Sequence, residues 1–240
     1  MNVLVVSSMF PNRAQPVHAV FVCNRVLRIA ERCNIRIINP IRWFPGAWIL
    51  KKYSHRRYIP RQDSMDGVTV DYPRFLSIPR FLKSLEGLFL FLSLLWLAWR
   101  LRATFRFQLI DAHLAYPDGF ACALLGRIFN VPLTITLRGH DVNDVPKYPM
   151  RRRQVAYALR RATRVIAVAE ALRRAAIELG AEAKRSVTIP NGVNAKIFYT
   201  LDRDEARQRL NLPRDRKIVV AVGHLVERKG FHLIIEALQH

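Results

Sequence analysis

Several short segments of this 240-residue chain bring together side chains of the types and spacing that chemistry needs. Arg138-Gly139-His140-Asp141 places three ionisable groups directly behind the apolar run Leu133–Leu137, at what would be the carboxyl end of a strand. The loop Gly223-His224-Leu225-Val226-Glu227-Arg228-Lys229-Gly230 lies between a strand-like run and a helix-like run. There Gly223 and Gly230 let the backbone come close to a ligand, the helix start offers its dipole, and Arg228 or Lys229 supplies charge, the ingredients of a diphosphate site. Other polar residues fall at the ends of further strand-like runs: Asn12, His18 at the start of a helix, then His113, Tyr116 and Asp118, and finally Asn191.

Each of these also has a plainer reading. Asp118 suits the N-cap of the following helix, Asn191-Gly192 suits a tight turn, and His113 suits a hydrogen-bonded structural residue. Other chemistries lose support: no Gly-x-Gly-x-x-Gly follows the first strand, and no Gly-x-x-x-x-Gly-Lys-Ser/Thr, His-Glu-x-x-His, nucleophile elbow or zinc-spaced His and Cys set occurs. No metal site and no cofactor are therefore expected.

The elements that must carry these groups follow from hydrophobic pattern. Strand-length apolar runs recur at Val3–Val6, Ile35–Ile41, Val68–Tyr72, Leu109–Leu114, Leu133–Leu137, Val165–Val168 and Val187–Ile189. Helical stretches separate most of them, at Val17–Arg32, Pro79–Arg102, Gly119–Phe129, Arg151–Arg161 and Glu170–Leu179, the last closed by Gly180. This alternation predicts an α/β chain with a doubly wound, mostly parallel, Rossmann-like sheet over residues 1–192. Residues 193–216 read as a linker holding a short helix near Asp204–Leu210, and Lys217–Val222 as the first strand of a second domain over 217–240 that needs more chain to bury its faces.

Lys and Arg number 39 against 18 Asp and Glu, a formal charge of +21, so the surface attracts anions. Three cysteines without paired spacing and a first strand without a cationic leader suit a reduced, cytoplasmic protein. The apolar run Gly87–Trp99 is shorter than the roughly 20 residues that span a bilayer, so it reads as a helix that does not cross. Basic residues at Arg80, Lys83, Arg100, Arg102 and Arg106 flank it, which suits the inner face of an anionic membrane. Aromatic residues do not interleave with the basic ones, so nucleic acid is not expected.

In order and spacing, Asp111–Gly119, Val165–Leu172, Ile189–Val193 with Phe198, and Val222–Gly230 leading into Ile234–Leu238 resemble the GT-B fold glycosyltransferases of family 4, which are retaining enzymes of cell-surface polysaccharide and glycolipid synthesis. The resemblance implies an acceptor-binding N-terminal domain, a nucleotide-sugar donor held by the C-terminal domain, and no metal. It places Asn12, His18, His113, Tyr116, Asp118, Gly139 and Asn191 on the acceptor side, and Gly223, His224, Arg228 and Lys229 on the donor diphosphate. Arg138, His140 and Asp141 fall at the catalytic strand end; Arg138 stands where relatives carry histidine, and a guanidinium there stabilises charge instead of moving a proton. Ala19 replaces a common glycine, Ala169 a common serine and His224 a common arginine. The paired glutamates that the family carries further along the donor domain fall beyond residue 240, so this stretch alone is not expected to catalyse transfer. The rival reading is a basic Rossmann-like module that binds anionic membrane and does no chemistry.

Overall fold

The computed structural model describes residues 1–47, 49–78 and 81–238, the side chains of Lys52 and Arg228 excepted. The chain divides into two compact units, Met1–Gly192 and Val193–His240.

The first unit is built on strands β1 (Asn2–Ser7), β2 (Asn34–Ile38), β4 (Gln62–Met65), β5 (Val68–Asp71), β7 (Leu109–His113), β8 (Leu133–Leu137), β9 (Arg164–Ala167) and β10 (Ser186–Thr188). They form one sheet in the order β10-β9-β8-β7-β1-β2-β5-β4, parallel except for the β4–β5 pair. Helices α1 (Val20–Ala30), α2 (Lys51–Ser54), α3 (Glu86–Thr104), α4 (Phe120–Phe129), α5 (His140–Asn143), α6 (Pro149–Arg161) and α7 (Glu170–Glu178) connect them. A central parallel strand must be apolar on both sides, and β1 obeys: Leu4 and Val6 join one core with α3, α4 and α6, while Val3 and Val5 join a second with α1. Gly180 ends α7 in a Schellman pattern, with Ala181 N–H on the Ala176 carbonyl and Gly180 N–H on that of Ile177, both at 2.9 Å.

Several expectations need correction. The run Ile35–Ile41 is two strands, because Pro40 donates nothing to a ladder; β2 stops at Ile38, and β3 (Ile41–Trp43) pairs instead with β6 (Arg74–Leu76) in a separate two-stranded sheet. An antiparallel hairpin, β4–β5, turns at Asp66-Gly67, both at positive φ. The helix expected from Pro79 begins at Glu86; Pro79 and Arg80 lie outside the described residues. Asp118 does not cap α4, since its carboxylate is turned to Ser8.

Helix α3 spans 19 residues, and the stretch Lys83–Thr104 is long and apolar enough to cross a membrane by length and composition, more than the count over Gly87–Trp99 suggests. Its Leu90, Leu94, Ala98 and Leu101 stripe is nevertheless buried in the first core, the behaviour of a helix packed on a sheet. Its start lies close against the turn after β7: a Cβ on Gly87 would come within 2.7 Å of Phe120 and 2.9 Å of Tyr116.

The second unit contains helix α8 (Arg203–Arg209), capped by Asp202 accepting from the N–H groups of Asp204 and Glu205, and helix α9 (Phe231–Ala237). The strand expected at Lys217–Val222 is not formed. A strand exists only through its ladder, and none of the described residues pairs with this segment.

Candidate active site

The strand order reverses at β1 and β7: β2 and β5 lie on one side, β8, β9 and β10 on the other. Ligands of open parallel sheets seat outside the carboxyl ends at such a point. Register brings Ser7 opposite His113 and His113 opposite Thr136, so the segments leaving β1, β7 and β8 emerge side by side.

Asp141 organises this edge. It is wholly buried, and its carboxylate accepts N–H bonds from Ala115 at 2.8 Å, Arg138 at 3.0 Å and Gly139 at 2.8 Å, tying the loop after β7 to the loop after β8. Burial pushes its pKa up and these donors oppose the shift. Gly139 sits at φ +113°, a region that L side chains rarely adopt, which is why glycine stands between two ionisable residues here.

Arg138 is half-buried and engaged on several sides. One terminal nitrogen donates to Asn191 Oδ1 at 2.8 Å, the other to His113 Nδ1 at 2.8 Å, and the guanidinium carbon lies 5.2 Å from the centre of the Phe21 ring. Burial, then the charge of Arg25, lower its pKa to about 10, so it stays cationic at neutral pH. An arginine can only donate, so His113 accepts through Nδ1; the hydrogen-bond network thus assigns a neutral imidazole with its proton on Nε2. That nitrogen is 3.3 Å from Asp111 Oδ2, at ion-pair distance but without hydrogen-bond alignment. Asp111 also accepts from Thr134 at 2.6 Å. The Arg138 Nε and the Thr136 hydroxyl are buried without a partner among the described residues, the pattern of a site that expects a ligand or water.

Asp118 is wholly buried and accepts from the backbone N–H of Ser8 at 2.7 Å and from the Ser8 hydroxyl. Burial raises its pKa to about 7 against the pull of Ser8. Tyr116 is buried with its hydroxyl donating to the Lys83 carbonyl at 2.7 Å and accepting from Gly87 N–H at 3.2 Å; burial lifts the phenol to about 12.

The remaining expected residues divide. Asn12 is buried and its side chain accepts from the N–H groups of Ala14 and Gln15, so it shapes the loop after β1. His18 is solvent-exposed just ahead of α1, with its pKa lowered by partial desolvation and by Arg42. His140 does not join the Arg138–Asp141 network: it is exposed and pairs with Asp144 at 3.1 Å. In the second unit Glu227–Lys229 forms a single 3-10 turn, Lys229 N–H reaches the Val226 carbonyl at 2.9 Å, His224 accepts from Val226 N–H at 2.8 Å, and Gly223 lies against Lys229 and Phe231.

Sequence reasoning passed over Ser8, the ring of Phe21 beneath Arg138, and Glu170. The Glu170 carboxylate accepts from Arg173 and from Thr188 at 2.7 Å, contacts that hold its pKa at about 2. Its position at the first residue of α7, straight after β9, is the signal that would have found it. A depression of about 420 Å³ lies at the other end of the sheet, beside the starts of β8 and β9, away from all of these residues.

A parallel sheet with its polar cluster at the switch point is a ligand-binding framework. Residues 59–196 match Glycosyltransferase Family 4, and the chain belongs to that family. It is 28% identical to TuaC of Bacillus subtilis, described as a glycosyltransferase of teichuronic acid biosynthesis, over 100% of this chain and 62% of TuaC. Among solved structures it superposes on HepE of Anabaena in complex with UDP (TM-score 0.62, 21% identity, 99% of this chain, 57% of HepE). It also superposes on sucrose-phosphate synthase of Thermosynechococcus elongatus (TM-score 0.69, 17% identity, 99% and 59%). These likenesses establish the GT-B, Rossmann-like fold, and the chain spans about three-fifths of the length of these proteins.

Proposed function

We propose that the protein transfers a sugar from a nucleoside-diphosphate sugar to a saccharide or lipid-linked acceptor of a cell-surface polysaccharide or glycolipid, with retention and without a metal. The observation that carries this reading is the Arg138 guanidinium, fixed at the switch point by His113, Asn191 and Phe21 in a chain of family 4. In this role Arg138 stabilises negative charge gathering on the departing diphosphate, and Asp141 holds the loop that presents it. His113, Tyr116 and Asp118 shape the acceptor side, and Lys229 with Gly223 grips the donor. HepE has been solved with UDP and with UDP-glucose, which supports a nucleotide-sugar donor for this relative of it.

The test uses a protein of the relatives' length. Replacing Arg138 by Ala is expected to lower turnover about 100-fold or more while nucleoside-diphosphate affinity stays within about twofold. Lys229→Ala is expected to weaken that affinity about tenfold or more. Normal turnover by Arg138→Ala would reduce the strand-end cluster to a structural role.

A peripheral setting on an anionic membrane is favoured by the outward face of α3. Leu88, Leu92, Trp96 and Trp99 follow one helical stripe opposite the buried one, and the two tryptophans are 62% and 72% exposed. Arg100 stacks on Trp96 at 4.6 Å, with Arg106 exposed nearby in sequence, so an apolar stripe carries the charge that an anionic bilayer surface complements. Each basic residue at such a surface contributes about 1 kcal/mol. Sedimentation should show binding to anionic but not neutral vesicles, lost at high salt and in Trp96→Ser/Trp99→Ser. Vesicle binding without any preference for nucleoside diphosphates would instead leave a non-catalytic membrane module.

A further inference from the structure

A second cluster of cations stands apart from Arg138. Arg42, Arg56, Arg57 and Arg74 line a cavity of about 220 Å³ together with Trp43 and Tyr53, formed where β3 pairs with β6 beside α2. Among the described residues no acidic one lines it. Glu86 lies 3.8 Å from Arg42 Nε, and it is already held by Lys83 and by the Ser77 hydroxyl.

The four arginines are not equivalent. Arg74 spends its donors on the carbonyls of Ile59, Pro60 and Tyr72, so it is a framework residue. Arg56 donates to the Arg42 carbonyl and stacks on Tyr53 at 4.9 Å. Among the described residues Arg42 and Arg57 have the most donor capacity to spare: Arg42 meets only the distant Glu86, and Arg57 lies over Tyr58 with one nitrogen on its hydroxyl. Grouping cations in a concave site costs Coulomb energy unless something negative enters it. Burial and the charge of Arg42 lower the pKa of Arg56, and burial and Arg61 lower that of Arg74, in keeping with a cluster short of anions.

The charge of Arg42, on the cavity wall, also bears on His18, Tyr116 and Asp118. Its volume is below that of drug-sized pockets and suits one sugar or diphosphate unit. Planar guanidiniums match the oxygens of carboxylate and phosphate, and the flanking Trp43 and Tyr53 rings offer apolar walls.

We infer that this cavity binds an oxyanion carried by the acceptor, either the carboxylate of a uronic acid or the diphosphate of a carrier lipid. The inference rests on the glycosyl-transfer reading for the word acceptor, but the site itself can be tested without donor or turnover.

The experiment is isothermal titration of the chain with inorganic pyrophosphate, with glucuronate and with glucose. The parent is expected to bind at least one anion and to prefer it to glucose; tighter pyrophosphate points to a carrier diphosphate, tighter glucuronate to a uronic acid. Arg42→Gln/Arg57→Gln should weaken that anion about tenfold or more. The charge-matched control Arg152→Gln/Arg153→Gln, on the exposed face of α6, should leave it unchanged. Lys229→Ala measures any share taken by the loop of the second unit. Should the double variant lose its cooperative thermal transition, Arg57→Gln alone, at a solvent-exposed position, decides with an expected loss of about threefold. Neither anion bettering glucose, the control weakening as much as the cavity variants, or the cavity variants binding like the parent would each overturn the inference. A failed donor titration with Lys229→Ala would count against the transferase reading and leave this result standing.

Discussion

The strand-end cluster of the first unit and the loop Gly223–Gly230 of the second draw on the same materials, cations and glycines, but they hold them differently. Arg138 is gripped from several sides, and the buried Asp141 beneath it consumes three backbone donors. Lys229 is solvent-exposed and owes its place to a backbone turn. Burial turns polar residues into framework, so in the first region the proposed chemistry and the stability share one set of contacts; in the second they are separable.

The strongest way to break that contrast is Asp141→Ala. It strands three N–H groups, one buried and two part-buried, and should cost about 4 kcal/mol in chemical denaturation, whereas Lys229→Ala should change stability by less than about 0.5 kcal/mol. Equal losses would erase the distinction. Next in size is the pH response of Asp118. Burial lifts its pKa in the folded state to about 7, above the ordinary aspartate range, so the protonated acid favours the folded state. That contribution is complete below about pH 4 and is lost as pH rises through about 7, at up to ~1.4 kcal/mol per pH unit. Asp118→Asn should flatten this part of the stability profile; an unchanged slope would show that the carboxyl is ionised throughout.

The smallest effects sharpen the comparison within the first unit, at two helix starts that lack ideal residues. Ala169 precedes α7 with extended dihedrals and no side-chain cap, so Ala169→Ser should stabilise by about 1 kcal/mol. Ala19 precedes α1 at φ 52°, a left-handed position that costs L residues about 1 kcal/mol, and Ala19→Gly should recover most of it. Both are read as shifts in melting temperature. No gain in either would place the local strain elsewhere.

Much of the first unit was legible because its strands are uninterrupted apolar runs, the mark of a sheet covered on both faces. The short strands β3, β4 and β6 were not, since three or four residues carry too little pattern, although Asp66-Gly67 was a hairpin signal in plain view. Arg138, His113 and Asp118 were legible as strand-end residues. Their partners were not, because the contacts of Arg138 with Asn191 and of Asp118 with Ser8 join residues far apart in the chain. His140 and Asp141 look alike in sequence, yet the first turn of α5 buries Asp141 and Val142 and leaves His140 outside. Lys217–Val222 has the composition of a strand, but composition supplies no neighbour to bond with.

The Tyr116 hydroxyl donates to Lys83 and accepts from Gly87, so one phenol rivets the head of α3 to the turn that follows β7. The helix is thereby a lever fixed beside the strand-end cluster. Under the membrane contact proposed for Trp96 and Trp99, a bilayer would also set the heading of the strand ends, and a lipid-borne acceptor would meet them by sliding in a plane, a search in two dimensions instead of three. Tyr116→Phe, which keeps the ring and removes the rivet, would uncouple the two.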